Sequence, residues 1–331
     1  MGNTMIELRT QSMFKRSYPD GLKTYKLNDD QLHELQETLR IIARDVIEVI
    51  ESNRLQYILY AGSALGAVRH HDFIPWDDDL DIAMPREDLE KFIGLFDKEL
   101  GSRYWLSTPG ITSGCRAPMT KVLLKDSILK DRNTHHTKEC GVSIDIFPYE
   151  TVPDNRILRE VFRIHSLAAG LAASCRWFYE DRSMYRAYVG TDKDALSVIN
   201  IKIRIGWLLS FRSLDYWVSK AYRVWSKYSG TDNRMIAVIA RWNETLAMRQ
   251  DVFPAIKMRF GKEDWCVPAK YDDAMKAFFG DYMKLPPEED RESHGFFDAK
   301  LPGWAQSISE QIESSSYDQN SHVDSETKHN A

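Results

Sequence analysis

Residues 57–84 read YILYAGSALGAVRHHDFIPWDDDLDIAM, and this stretch decides how the chain folds. Tyr57–Ala61 is an apolar run of strand length, and Gly62-Ser63 is a tight exit from it into a short helix over Ala64–Arg69. The acidic run Asp77-Asp78-Asp79 then leads into a second strand, Leu80-Asp81-Ile82-Ala83-Met84. Strand alternation puts Asp79 and Asp81 on one face. Two carboxylates at that spacing repel each other and lose hydration on burial, so the face calls for a cation. A hard divalent ion such as Mg2+, shared between carboxylates and substrate phosphates, meets that need. Gly62 and Ser63 then offer backbone N–H groups and a hydroxyl to a phosphate. A solvated acidic turn is the plainer reading of the run. A calcium loop of EF-hand type is a weak fit, because the Asp-x-Asp-x-Asp-Gly spacing and the distal Glu are missing.

A third carboxylate lies in GVSIDIFP, residues 141–148. Val142, Ile144 and Ile146 alternate with Ser143, Asp145 and Phe147, which places Asp145 mid-strand between isoleucines. If this strand lies beside that of Asp81, then Asp79, Asp81 and Asp145 meet around one or two metal ions, an arrangement that clamps an in-line displacement. Asp145 is equally placed to accept the proton of an attacking hydroxyl. Taken alone, it also reads as a structural carboxylate holding backbone N–H groups.

Ala61-Gly62-Ser63-Ala64-Leu65-Gly66-Ala67-Val68-Arg69-His70, followed by Asp72-Phe73-Ile74-Pro75-Trp76-Asp77-Asp78-Asp79-Leu80-Asp81-Ile82, resembles the LicD family of phosphocholine transferases, which includes fukutin and its relatives. Ile144-Asp145-Ile146-Phe147-Pro148 also matches, as does a distal block holding Phe260-Gly261, Val267-Pro268, Tyr271, Phe279–Met283, Leu285-Pro286-Pro287 and His294. The resemblance covers residues 25–300. It implies a nucleotidyltransferase-type α/β core and transfer of a phospho-alcohol, most simply phosphocholine, from its CDP ester to a glycan hydroxyl. It assigns the metal to Asp79, Asp81 and Asp145, and the donor phosphate to Gly62 and Ser63. Mg2+ is the implied ion, and Mn2+ would suit the same oxygen ligands. Arg69 is the motif cation whose planar fork suits a diphosphate. It also reads as a surface helix residue or an ion-pair partner of Asp77 or Asp78. Lys121, on the alternating strand 118–125, is either a second phosphate contact or a salt-bridge partner of the acidic cluster. Trp76 reads as packing beneath the Asp loop. His294 is either structural or on the acceptor side. Two rivals share these residues: a nucleotidyltransferase releasing pyrophosphate from an NTP, and a non-catalytic glycan- or lipid-binding protein.

Composition narrows the setting. The chain has 331 residues, 43% of them hydrophobic, enough for a substantial core. A net charge of −5 without a long basic run argues against nucleic acid as a partner. Cys115, Cys140, Cys175 and Cys266 are scattered with no C-x-x-C pair, which points to a reducing compartment and away from zinc. The N-terminus has no apolar signal core, and Ile6 occupies the position where a myristoylation signal wants Ser or Thr. The expected location is cytoplasmic, at the inner face of the membrane where the glycan acceptor is lipid-linked.

Five segments follow from the pattern: an N-terminal extension (1–24), a catalytic core (25–153), a helical subdomain (154–250), a C-terminal part of the family domain (251–305) and a disordered polar tail (306–331). Asn28 with Gln31 is a capping box for a long helix through Ile50. Pro85 suits the first position of a helix over 86–100. Strands are expected over 103–107, 118–125 and 141–147. Helices are expected over 155–180, 194–210, 212–229 and 272–280, with no strand-like alternation in 154–250. Segment 199–225 mixes cations, tryptophans and aliphatics. It reads as a helical layer packed over the active site, or as an interfacial pair contacting a membrane.

Overall fold

Asn28 caps α1 (Asp29–Ser52) as the sequence requires, its side chain accepting from the Gln31 N–H while Gln31 returns a bond to the Asn28 N–H. The structure, a computed structural model, describes residues 18, 20–131, 134, 139–288, 291 and 295–310. The fold is mixed α/β. After α1 come β1 (Ile58–Leu59), α2 (Ala61–Leu65) and one π-helical turn, Gly66–His70. Then follow β2 (Asp81–Pro85), α3 (Arg86–Glu99), β3 (Tyr104–Ser107), β4 (Thr120–Leu124), β5 (Ile128–Lys130) and β6 (Ser143–Val152). Gly62 and Ser63 therefore lie inside the first turn of α2 rather than in a loop before the helix. Pro85 closes β2 and caps α3 instead of opening it. Its missing N–H costs nothing at a strand end.

The sheet runs β1-β2-β6-β4-β3. β2 and β6 are parallel; the other pairs are antiparallel. Alternation sends Leu59, Ile82, Met84, Val122, Ile144 and Ile146 to one face, where they form the main core with Leu35, Leu39, Ile42 and Val46 of α1 and Leu89, Phe92 and Phe96 of α3. The opposite face carries Asp81, Lys121, Asp145, Ala83 and Phe147.

Four helices follow: α4 (Arg156–Glu180), α5 (Arg182–Val189), α6 (Lys193–Leu208) and α7 (Leu214–Trp225). α6 and α7 pack along α4, where Lys202 Nζ bonds Ser174 Oγ (3.0 Å) and Trp225 Nε1 donates to the Ser166 carbonyl (3.1 Å). The layer is pinned to the core by a buried ion pair, Arg86 with Glu150, over which the Tyr222 ring of α7 stacks at 4.0 Å. Within 199–225, Ile199, Ile203, Leu214, Val218 and Ala221 are buried.

The region 154–250 is not wholly helical. β7 (Met235–Ala237) extends the C-terminal half of β6 and pairs with β8 (Ala247–Met248), separated by α8 (Trp242–Thr245) and followed by α9 (Arg249–Val252). These strands are two or three residues long, too short to show a period. A hairpin of β9 (Ile256–Phe260) and β10 (Glu263–Val267) leads to α10 (Tyr271–Phe279), and β11 (Asp298–Lys300) pairs with β5. Residues 306–310 pack against the fold, with Ser307 and Ile308 buried and the Ser309 N–H on Asp298 (3.1 Å). A disordered tail starting at 306 is therefore corrected for these five residues. The rest of the tail (311–331) and residues 1–17 and 19 of the extension lie outside the described residues.

Candidate active site

Strand register assembles the site. Lys121 of β4 stands opposite Asp145 of β6, and Asp145 opposite Asp81 of β2, so the three side chains form one row across neighbouring strands. Lys121 Nζ donates to Asp145 Oδ1 at 2.6 Å with both side chains nearly buried. Burial alone would lower the Lys121 pKa, but Asp145, Asp131 and Asp81 raise it above the ordinary lysine value. On the far side of the row, the Tyr60 N–H donates to the Asp81 carbonyl (2.9 Å). Burial, then Asp79, Asp145 and Asp77, push the Asp81 carboxyl well above the usual carboxylate range, against the lowering by Lys121. Asp81 thus sits among carboxylates that, with burial, make its ionised form unfavourable despite Lys121. A hard cation fits this all-oxygen donor set.

Asp79 belongs to the turn before β2 rather than to the strand. One carboxylate oxygen each from Asp77, Asp78 and Asp79 lies within 4.8 Å of the others. Asp77 is therefore part of the acidic site, although the sequence suggested it only as a partner for Arg69. The turn is braced from α1: Gln36 Nε2 donates to the Asp77 carbonyl (2.9 Å), and Arg40 bonds Asp72 (2.7 Å). Gly62 faces it directly, since a Cβ there would lie 3.1 Å from Asp77 Oδ2. Ser63 is buried and its Oγ accepts the Asp81 N–H at 2.8 Å. That bond fixes the entry into β2 and leaves the hydroxyl proton to donate. Ala61, which begins this segment, holds φ +44, a left-handed conformation that costs a non-glycine residue roughly 1–3 kcal/mol.

Arg69 sits on the π-helical turn, a feature common beside functional sites. Its Nε donates to His70 Nε2 (2.9 Å) and one terminal nitrogen to the Tyr282 carbonyl (2.7 Å). The guanidinium therefore ties the motif helix to the distal block. Burial lowers the Arg69 pKa; burial, Arg69 and His71 lower that of His70, keeping the imidazole an acceptor. The distal block also braces the Asp loop. The Gly261 N–H bonds the His71 carbonyl (2.6 Å), and the Phe260 ring packs on Phe73 with centroids 4.9 Å apart. Trp76 packs as expected, with the Arg291 guanidinium 4.6 Å above its ring. His294 lies outside the described residues.

An aromatic cluster continues the same sheet face. Phe147, two residues beyond Asp145, lies 4.7 Å from the Tyr60 ring, and Phe278 of α10 meets Tyr60 at 5.4 Å. The Tyr60 hydroxyl is buried without a hydrogen-bond partner among the described residues, and burial, Tyr149 and Asp81 push its pKa up. The shared parity of Asp145 and Phe147 was visible in the sequence; the approach of Phe278 was not.

Residues 54–167 match the family described as LicD/FKTN/FKRP, nucleotidyltransferase domain. Over these residues the chain is similar to that family. Its matched span includes Gly62, Ser63, Arg69, Asp79, Asp81, Lys121 and Asp145. The chain is 26% identical over 255 residues to the lipopolysaccharide cholinephosphotransferase LicD of Haemophilus influenzae, covering 76% of this chain and 91% of that protein. It is also 45% identical over 64 residues to the human ribitol 5-phosphate transferase FKRP, covering 19% of this chain but only 13% of FKRP. The mouse FKRP gives the same figures. The similarity to LicD thus extends well beyond residues 54–167, to most of both chains.

Proposed function

We propose that this protein is a divalent-metal-dependent transferase that moves a phospho-alcohol, phosphocholine first among them, from its CDP ester to a hydroxyl of a cell-surface glycan or its lipid-linked precursor, releasing CMP. The observation that carries the reading is the row Lys121–Asp145–Asp81 beside Asp77–Asp79, where burial and the neighbouring carboxylates disfavour ionisation of Asp81. The names of the relatives, a cholinephosphotransferase and a ribitol 5-phosphate transferase, supply the class of group transferred.

Asp79, Asp81 and Asp145, joined by Asp77, would hold one or two Mg2+ ions. Bound there, the metal would supply charge neutralisation for a diphosphate and its leaving phosphate. The remaining roles belong to the chain. Lys121 holds Asp145 in place through a nearly buried ion pair, and Asp145 completes the oxygen set or takes the proton of the attacking hydroxyl. Gly62, kept small against Asp77, and the Ser63 hydroxyl, oriented by the Asp81 N–H, would face the donor phosphates, while the Ser63 N–H itself is taken by the Tyr60 carbonyl. Arg69 positions the π-helical turn against the distal block. Half-buried Phe147 and Phe278 present aromatic surface next to the carboxylates, suited to a quaternary ammonium.

Thermal unfolding with Mg2+ and a panel of CDP-choline, CDP-ribitol, CDP-glycerol, CDP-ethanolamine, CTP and ATP tests this, because a ligand of the folded state raises the midpoint. Stabilisation by one CDP-alcohol, lost in Asp79→Asn, with CMP as the product, is the expected result. Stabilisation by an NTP alone, with pyrophosphate released, would move the assignment to nucleotidyl transfer. Metal-independent glycan binding without turnover would make the protein a binding module.

A further inference from the structure

α4 is apolar on both sides. Its inner side faces α6 and α7 through Ser166, Gly170 and Ser174, and packs Phe162 on Tyr228 and Trp242. On the opposite side Ile157, Val161 and Ile164 follow a helical spacing and are 75%, 60% and 62% exposed. Leu158, Leu167 and Leu171 widen this strip and are also exposed. A strip of this length, about 20 Å at 1.5 Å per residue, is more than the scattered apolar exposure of an ordinary surface. A second exposed group, Trp207, Leu208 and Phe211, marks the turn between α6 and α7 in the same helical layer.

Charge says what covers the strip. Residues 156–227 contain thirteen Lys and Arg against six Asp and Glu, a net +7 within a chain of net −5, so the remainder carries −12. Exposed cations flank both apolar groups: Arg156 at the start of the α4 strip, Arg204 and Arg212 on either side of Trp207–Phe211. Apolar side chains bordered by cations on an otherwise acidic protein match an anionic bilayer surface, where the aliphatics enter the acyl boundary and the cations meet headgroup phosphates. Among the described residues no helix is long and apolar enough to cross a membrane, so the contact is one of docking.

We propose that the outer face of α4, with the α6–α7 turn, docks the protein on an anionic phospholipid surface. The inference is independent of the transfer reaction and needs no turnover to read. Full-length protein is floated with phosphatidylglycerol-containing vesicles and with pure phosphatidylcholine vesicles, at low and high salt. Flotation with the anionic vesicles, weakened by salt and weak on phosphatidylcholine, is expected. The triple variant Ile157→Ser/Val161→Ser/Ile164→Ser should lower the partition coefficient roughly tenfold or more, with an unchanged thermal midpoint because all three side chains are exposed. Absence of flotation by the wild type, or equal flotation by the variant, would overturn the proposal. So would a wild-type dimer that the triple variant converts to monomer with neither form floating, since the strip would then be covered by a second copy of the chain.

Discussion

Asp81 and Asp145 are register partners on parallel neighbouring strands, and Asp145, but not Asp81, is joined to Lys121 by a direct ion pair. Asp81 also receives the field of Asp79 and Asp77. Burial and these neighbours make ionisation of Asp81 unfavourable. The fold thus stores electrostatic repulsion where a divalent ion would relieve it.

Asp81→Asn separates the two consequences of that repulsion. The amide keeps the shape and removes the charge, so the thermal midpoint without divalent ions should rise. The further rise that Mg2+ gives the wild type should disappear, and turnover should fall roughly 10³-fold or more. Calorimetry of wild type and variant with and without Mg2+ reads both effects. A variant that keeps its Mg2+ response would remove Asp81 from the donor set.

Much of this was legible in residues 57–84 and 141–148, because side-chain parity along a strand follows directly from alternation. Parity gave the common face of Asp145 and Phe147 and the buried face of Ile144 and Ile146. It could not show that β2 and β6 are neighbours, since their parallel pairing joins segments some sixty residues apart across three intervening strands. Hence Lys121 stayed undecided between phosphate and carboxylate until the register placed it against Asp145. Asp77 was overlooked because a turn has no period. The β9–β10 hairpin was legible as well, since Ile256, Met258 and Phe260 alternate with Lys257 and Arg259 ahead of Gly261. The outward strip of α4 looked like any apolar helix, since periodicity does not say which side is covered.

Gly261 tests the coupling between the distal block and the Asp loop. It holds φ +61, and a Cβ there would run into the Arg40 guanidinium that bonds Asp72. Gly261→Ala therefore adds left-handed strain and displaces Arg40, and should cost about 1–3 kcal/mol. Urea unfolding measures the loss. Because Asp72 opens the segment leading to Asp77–Asp79, the variant should also weaken the Mg2+ response at temperatures where it stays folded.

His70 offers a pH readout. Its folded pKa is lowered by burial, Arg69 and His71, so its neutral form is favoured over the unfolded reference of about 6.5. The sign follows: the unfolded chain binds the proton more readily, so the contribution of His70 is fully present above about 6.5 and is lost as pH falls through the folded value. NMR titration of the imidazoles should show one resonance, absent in His70→Gln, with a midpoint below the ordinary histidine value. An unshifted midpoint would mean that Arg69 does not donate to this ring.

Lys121→Met tests whether the row is balanced by Lys121 alone. Removing one partner of a nearly buried ion pair takes the Lys121 charge away from Asp145 beside Asp81, and such truncations cost about 3–5 kcal/mol. The variant should unfold at clearly lower urea than the wild type in the absence of divalent ions. Mg2+ should then recover a larger part of the stability than it adds to the wild type, because the ion supplies charge that the missing ammonium no longer gives. Equal Mg2+ increments in both proteins would place the ion away from Asp145 and restrict the donor set to the Asp77–Asp81 side of the site.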